Sequence, residues 1–378
     1  MEYIRRILSD KILESFPFYS VIIITGPRQS GKTTLCKNLF SDYRYFNLEN
    51  PSIRDIINND PSKFIFEGKD GVIIDEVQYM PELLSYIQVC VDENPGRKFI
   101  LTGSSDFALM ESITQSLAGR GAIFTLLPFS FKEINDYMKD NGIDPIMLNG
   151  FYPGVIVKKI PVDIFYSNYV STYIERDVRK IKNIENLDLY RLFIKVLASR
   201  TSCEFNASSI SAEIGVSAPT IRKWLGLLKT SYIVFSLQPY YVNIGKRLSK
   251  TPKVYFYDTG LLCFMLDIHN DSELQNHPLR GAIFENMAVS QFMKERYNKK
   301  ANWDLYFYRE NKGREIDIVK SIGPKLELFE IKSSKTFNKE FTKNLKAIKE
   351  GMGDKISATT LIYDGESFPP EIINIREV

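Results

Sequence analysis

Residues 26–33 carry the strongest chemical signal in the sequence. They read Gly26, Pro27, Arg28, Gln29, Ser30, Gly31, Lys32 and Thr33, which fits the phosphate-loop pattern GxxxxGK[ST] without a gap. An apolar β-branched run precedes them, and a run with helical spacing follows from Lys32 to Phe40. A strand, a glycine loop and a helix N-terminus direct backbone N–H groups and the helix dipole at an anion. We therefore expect residues 26–33 and Thr34 to bind nucleotide phosphates, with Lys32 on the β- and γ-phosphates and the Thr33 hydroxyl on Mg²⁺.

A second signal lies at residues 71–76. The apolar run from Gly71 to Ile74 is typical of a buried strand, and it ends in two acids, Asp75 and Glu76. Following a phosphate loop, this arrangement is the Walker B pattern. We predict that Asp75 belongs to the Mg²⁺ shell and that Glu76 orients and activates the attacking water.

Two further candidates follow. The apolar run from Lys98 to Thr102 leads into Gly103, Ser104 and Ser105, so Ser104 or Ser105 is expected to contact the γ-phosphate or the lytic water unless this is only a Gly-Ser turn. Arg120 is a candidate arginine finger or sensor, acting in cis or, in a homo-oligomer, in trans. A structural or solvated arginine is the alternative.

Composition limits the possible classes of protein. The chain has 378 residues, enough for two or three domains, with 44% hydrophobic and 25% charged residues and a net charge of +3, too small to indicate a partner. The four cysteines are scattered, which disfavours a disulfide framework or a zinc site and suits a reducing compartment. Two histidines nearly exclude histidine-based catalysis. Without an apolar run of ~18 residues or a signal-peptide pattern, we expect a cytoplasmic protein with no membrane partner.

The elements that would position these residues alternate between strand and helix up to about residue 135. This alternation predicts an α/β fold in which a parallel sheet carries the phosphate loop. We divide the chain into a P-loop ATPase core at 1–135, a helical connecting region at 136–186, a winged-helix domain at 187–275 and a C-terminal α/β domain at 276–378. No Asn-Lys-x-Asp guanine signature is present, which favours ATP over GTP.

The segments GPRQSGKTT, VIIDEVQYMP, ILTGSSDF and SLAGRGAIFTLLPFSFKEI together resemble a prokaryotic AAA+-like P-loop ATPase family. Its members carry a winged helix and a C-terminal domain of unknown function with a nuclease-like fold. The resemblance implies ATP binding and hydrolysis. It also implies that the strand before Ser104 lies between the strands of the Walker A and Walker B motifs.

Residues 187–275 predict three helices and a hairpin. The helices are expected at 187–199, 208–215 and 217–229, and the strands at 233–237 and 254–257. The short turn Gly215–Ser217 is a helix-turn-helix signature. In a DNA-binding role the third helix enters a major groove, and phosphates meet the cations Arg222, Lys223, Lys246, Arg247, Lys250 and Lys253. Alternatively, this region is an interdomain or oligomer surface.

The last hundred residues predict a helix, three strands, a helix and a strand, an order that resembles the PD-(D/E)XK nuclease core. Glu285 falls on the first helix, Asp317 on the second strand, and Glu330 and Lys332 on one face of the third strand. The resemblance implies a second Mg²⁺ site at Glu285, Asp317 and Glu330, with Lys332 activating water. Acids kept as structural partners, or DNA binding without cleavage, are the alternatives.

Three hypotheses follow from these patterns. The leading one is an ATPase that couples nucleotide hydrolysis to the winged-helix and nuclease-like regions and acts on nucleic acid. The second is a metal-dependent nuclease gated by ATP. The third is an ATP-regulated binding switch, for DNA or protein, with little turnover and an inactive nuclease-like domain.

Overall fold

The computed structural model of the chain describes residues 3–68, 71–103, 116–138, 141–174, 187–241, 251–310 and 313–378. Five residues singled out from the sequence lie outside these ranges: Ser104, Ser105, Lys246, Arg247 and Lys250. Their expected roles stay predictions.

The N-terminal part is built on a five-stranded parallel sheet. Its strands are β1 (Val21–Thr25), β2 (Arg44–Asn47), β3 (Val72–Asp75), β4 (Phe99–Thr102) and β5 (Gly121–Thr125), in the order β2-β3-β4-β1-β5. Because all neighbours are parallel, the carboxyl ends of the strands meet at one edge. Strand β4 lies between β1 and β3, as the resemblance implied. The helices of this part are α1 (Leu8–Ser15), α2 (Lys32–Leu39), α3 (Pro51–Asn59), α4 (Pro61–Phe66) and α5 (Leu83–Glu93).

The central part is helical. It contains α6 (Phe131–Met138), α7 (Ile143–Asn149), α8 (Pro153–Ile156), α9 (Val162–Tyr169), α10 (Leu187–Ser199), α11 (Ala207–Ile214), α12 (Ala218–Thr230), α13 (Thr259–Met265) and α14 (Asp271–Asn276). Helices α10, α11 and α12 agree with the three predicted from residue 187 onward. The side chain of Asn206 caps α11 by accepting the Ser209 N–H. Gly215 ends α11 at φ 81°, a left-handed conformation that favours glycine.

The C-terminal part consists of helix α15 (Arg280–Lys299), helix α16 (Lys343–Met352) and a seven-stranded sheet. The strands are β6 (Val234–Pro239), β7 (Lys253–Phe256), β8 (Asp304–Arg309), β9 (Glu315–Ile322), β10 (Lys325–Lys332), β11 (Ile356–Tyr363) and β12 (Ile372–Asn374). Their order is β12-β11-β10-β9-β8-β6-β7. Strand β6 pairs antiparallel with β7 and parallel with β8, so the two strands predicted to form a wing are the edge of the C-terminal sheet.

One apolar core joins the central and C-terminal parts. It runs from Ile4 and Leu127 through the central helices and α15 to Ile375, while two smaller clusters flank the N-terminal sheet. Shared burial on this scale makes the central helices and the C-terminal sheet one packed unit. In the described part of the chain, no helix combines the length and apolar character needed to cross a membrane.

Candidate functional site

The loop between β1 and α2 has a backbone that requires glycine at two positions. Gly26 has φ 141°, and a Cβ there would lie 2.2 Å from the Leu126 carbonyl oxygen. Gly31 has φ 98° and stands at the N-cap of α2. The loop therefore turns tightly from a buried strand into a helix whose first N–H groups have no partners within the helix. An anion bound at the loop would accept hydrogen bonds from these N–H groups.

Lys32 lies inside this turn. Its Nζ donates to the carbonyl oxygens of Gly26 at 3.1 Å and Pro27 at 3.0 Å. Burial lowers the pKa of the Lys32 ammonium, against the opposing influence of the Glu76 and Asp75 carboxylates. The ammonium is thus held at the loop by neutral carbonyls, with two acids close enough to affect its charge.

Asp75 is buried at the carboxyl end of β3 and is surrounded by hydroxyl groups. Its Oδ2 accepts hydrogen bonds from Thr33 Oγ1 at 2.8 Å and from the Tyr45 hydroxyl at 2.7 Å, and its Oδ1 accepts one from Thr102 Oγ1. Burial and the adjacent carboxylate raise the pKa of Tyr45, so this hydroxyl stays a donor. The structure brings Thr33 and Asp75 together as predicted, and their oxygens form the hard donor set that suits Mg²⁺.

Glu76 follows directly in a strained conformation. Its φ of 59° lies in the left-handed region, which is uncommon for a glutamate. Its N–H donates to Thr102 Oγ1 at 3.2 Å, and Gln78 Nε2 donates to its carboxylate. Thr102 therefore links both acids. The sequence reasoning missed Tyr45, Thr102 and Gln78, although Thr102 ends the strand that was expected beside the Walker motifs.

A buried ion pair supports the loop from the side of the N-terminal segment. Arg6 Nη1 donates to the Ser30 carbonyl at 2.9 Å, Nη2 to the Leu127 carbonyl at 2.6 Å, and Nε to Glu133 at 2.9 Å. Burial alone would raise the pKa of Glu133, but Arg6 and hydrogen bonds from backbone N–H groups hold it below its ordinary value. No periodicity or motif in the sequence indicated this pair.

Arg120 lies away from the loop. Its guanidinium makes two hydrogen bonds to Asp92, at 2.6 and 2.7 Å, and its carbonyl accepts from the N–H of Val21. Val21 begins β1, whereas the phosphate loop follows the other end of that strand. Arg120 thus lies at the opposite end of β1 from the loop, and its role as an arginine finger or sensor, in cis or in trans, stays a prediction.

The cations expected to meet DNA fall into two groups. Arg222 and Lys223 are exposed on α12, while the neighbouring Trp224 is buried against Tyr190 and Phe193. Lys253, expected among the cations that meet DNA phosphates, is instead buried at the start of β7. The prediction of a DNA contact is wrong for Lys253 and stays a prediction for Arg222 and Lys223.

The C-terminal acids come close together and are paired with lysines. Burial, followed by repulsion from Asp317, raises the pKa of both Glu285 and Glu330 to about 7. Lys332 Nζ lies 2.7 Å from Glu330, as their shared strand face predicted. Within the described ranges, no group of three or more His, Cys, Asp or Glu side chains is arranged to hold a metal ion. The second Mg²⁺ site at Glu285, Asp317 and Glu330 stays a prediction.

Three family models match successive parts of the chain. Residues 19–135 match an AAA domain, residues 141–272 match a domain of unknown function (DUF8612), and residues 280–376 match another domain of unknown function (DUF4143). The first match spans the five-stranded sheet and the loop. The other two cover the central helices and the C-terminal sheet.

Curated relatives cover most of the chain and are uncharacterized. A protein of Mycobacterium tuberculosis is 29% identical over 323 residues, covering 84% of this chain and 71% of its own length. A protein of Methanocaldococcus jannaschii is 23% identical over 399 residues, and the match covers 94% of this chain and 85% of its own length. Among solved structures, the Walker-type ATPase of Pyrococcus abyssi is 17% identical, with a TM-score of 0.49 over 68% of this chain and 94% of its own. The AAA-domain match, joined to the geometry around Lys32 and Asp75, supports a P-loop ATPase fold for residues 19–135.

Proposed function

We propose that this protein binds ATP with Mg²⁺ and hydrolyses it. The observation that carries the proposal is the surrounding of Asp75. Its carboxylate is oriented by three neutral hydroxyls, one of them on Thr33 at the start of the loop helix. Neutral donors fix the position of the carboxylate without cancelling its charge, which leaves that charge for a cation.

The residues present fit a nucleotide and its metal. The glycines at 26 and 31 let the backbone approach an anion, and the buried Ser30 Oγ has no hydrogen-bond partner among the described residues. The loop from Gly26 to Thr34, including Arg28 and Gln29, would hold the phosphates, and Thr33 and Asp75 would hold Mg²⁺. When bound, the metal stabilises charge on the transferring phosphoryl group.

The roles of this chain's own side chains follow from their positions. Lys32 exchanges its two carbonyl acceptors for phosphate oxygens, which carry full charge and make stronger hydrogen bonds. Glu76 orients the attacking water and accepts its proton. Ser104 or Ser105 contacts the γ-phosphate, a role inferred from their place just after β4. Arg6 and Glu133 keep the loop in position before the nucleotide arrives.

ATP binding and hydrolysis would be coupled to the regions that follow the ATPase core. Helix α12 presents Arg222 and Lys223 to solvent, which supports a nucleic acid as the partner. A protein partner on the same surface is the competing possibility. Stimulation of ATP turnover by DNA would support a nucleic-acid partner, and the absence of stimulation would favour a protein partner.

A nucleotide switch with slow turnover is the second candidate, and the position of Arg120 favours it. Because Arg120 is paired with Asp92 at the end of β1 away from the loop, we expect it to act in trans rather than on the phosphates of its own chain. Hydrolysis would then be slow until a second copy supplies an arginine in trans. Turnover per chain that rises with protein concentration supports this candidate, and turnover independent of concentration argues against it.

Phosphate release from ATP, with and without DNA, tests the main proposal. Lys32→Ala should abolish Mg²⁺-dependent release. Lys63→Ala, at an exposed lysine of α4, is the matched control and should behave as the wild type. Equal turnover in Lys32→Ala and the wild type would exclude the assigned site.

A further inference from the structure

We infer that Lys253 is the resident cation of the C-terminal carboxylate centre, and that this centre takes up no divalent metal and does not cut nucleic acid. We define the centre as Glu285, Glu315, Asp317 and Glu330 together with Lys253 and Lys332. The inference concerns a site separate from the phosphate loop and does not depend on the proposed ATPase activity.

Lys253, the first residue of β7, places its ammonium among these acids. The Lys253 side chain is 5% exposed, and its Nζ lies 3.4 Å from Glu285 Oε1 and forms an ion pair with Glu315. Tyr255, on the same face of the strand, donates its hydroxyl to the same Glu285 oxygen at 2.7 Å. Strand β7 thus supplies both a charge and a hydrogen bond to acids of α15 and β9.

The other acids of the centre also have partners. Glu330 Oε1 pairs with Lys332 at 2.7 Å, and Asp317 Oδ2 accepts the Ile331 N–H at 2.7 Å. Glu330 Oε2 is buried without a hydrogen bond in the described part of the chain. Mg²⁺ is usually held by one or two protein carboxylates together with several waters. Here the carboxylates that it would use are already paired with an ammonium group or a backbone N–H.

An ammonium in this position works against a second cation. Lys253 is attracted by Glu285, Glu315 and Asp317 together, and their combined influence raises its pKa despite burial, so it remains charged. A metal ion entering between the same carboxylates would meet a like charge at short range. To make room, Lys253 would have to leave its acids while still enclosed, with the Phe307 ring 5.3 Å away.

The position of the lysine follows from the sheet. Strand β7 is the edge strand that β6 connects to β8, so it lies against α15 rather than projecting as a free wing. The ion pairs therefore join the chain before residue 257 to the acids after residue 284. A lysine that looks like a DNA-contacting cation in the sequence serves as an internal counter-ion.

Mn²⁺ binding to the full-length, nucleotide-free protein tests the inference. Free Mn²⁺ is measured by electron paramagnetic resonance at pH 8, above the pKa of about 7 of Glu285 and Glu330, where the acids are most receptive to metal. Wild type and Asp317→Asn should bind the same amount of Mn²⁺. Lys253→Met, which keeps the volume and removes the charge, should gain one Mn²⁺ per chain, and adding Asp317→Asn should remove it.

Two results would overturn the inference. One is a Mn²⁺ site in the wild type that Asp317→Asn removes. The other is a folded Lys253→Met that gains no Mn²⁺. If Lys253→Met does not fold, the wild type and Asp317→Asn decide, with equal binding supporting the inference. In parallel, incubation of DNA and RNA with Mn²⁺ should show no cleavage that Asp317→Asn abolishes, and such cleavage would contradict the inference whatever the ATPase result.

Discussion

The two carboxylate centres of this protein differ in what holds the acids. At the phosphate loop, Asp75 is held by the hydroxyls of Thr33, Tyr45 and Thr102. At the C-terminal sheet, Glu285 and Glu330 are held by the ammonium groups of Lys253 and Lys332. Hydroxyl donors orient a carboxylate and leave its charge, whereas ammonium groups orient it and neutralise it. We therefore expect a divalent cation at the first centre and none at the second.

The largest expected effect is on ATP turnover, which should distinguish the roles of the two centres. Asp75→Asn keeps the size of the side chain but removes the charge assigned to Mg²⁺, so ATP turnover should fall by about 100-fold or more. Asp317→Asn should change turnover little. Steady-state phosphate release measures both, with Asp42→Asn, at an exposed site, as a control. A comparable loss in Asp317→Asn would mean that the centres are not distinct in role.

The next effect concerns the buried ammonium. Lys253→Met leaves Glu285 and Glu315 without their cation, and breaking such a pair should destabilise the protein by about 3 kcal/mol. Lys253→Arg keeps the charge and should lose less. Chemical denaturation of both variants measures the difference. If Lys253→Met is as stable as the wild type, the ion pairs do not join β7 to α15.

A smaller effect is expected from one hydroxyl at the loop. Tyr45→Phe removes a single neutral donor to Asp75, a loss of about 1 kcal/mol that corresponds to roughly 5-fold in turnover. Tyr43→Phe is the control, since its ring packs beside Phe16 and Phe40. Comparison of kcat with KM would locate the effect. An unchanged kcat and KM in Tyr45→Phe would show that this hydroxyl does not position Asp75.

The last prediction concerns a buried lysine that has no carboxylate bonded to it. Lys294 Nζ has no hydrogen bond among the described residues, and it lies 3.8 Å from the centre of the Phe151 ring. Burial lowers the pKa of Lys294 to about 7. Between pH 7 and the ordinary lysine pKa of about 10.4, the unfolded chain binds more protons, so stability should rise with pH across this window.

Thermal unfolding between pH 7 and 9 checks this expectation. The wild type should gain a few degrees relative to Lys294→Met, in which this contribution is absent. Lys299→Met, at an exposed lysine of the same helix, should follow the wild type. Parallel pH curves for the wild type and Lys294→Met would contradict the lowered pKa.

Sequence patterns predicted those parts of the site that depend on residues close together in the chain. The strand, loop and helix around Lys32 form a local pattern, and so does the strand ending at Asp75. Their meeting through Thr33 followed from the known relation of the two motifs. Tyr45, Thr102 and Arg6 were missed because their contacts depend on how distant segments pack, and single tyrosine, threonine and arginine residues carry no periodic signal.

Lys253 illustrates the same limit, because it was expected to be exposed and is instead buried. Strands β6 and β7 match a hairpin in the local pattern, so their cations were expected in solvent. The pairing of β6 with β8 joins residues more than sixty positions apart, such as Gln238 and Tyr306. No local feature of the sequence shows that pairing, and it is what encloses Lys253.

Protein-bound Mn²⁺ in the presence of ATP tests the contrast between the two centres most directly. Equilibrium dialysis against Mn²⁺ and ATP, applied to the wild type, Asp75→Asn and Asp317→Asn, compares both acids in one measurement. We expect one Mn²⁺ per chain in the wild type, its loss in Asp75→Asn and its retention in Asp317→Asn. Retention in Asp75→Asn with loss in Asp317→Asn would contradict it.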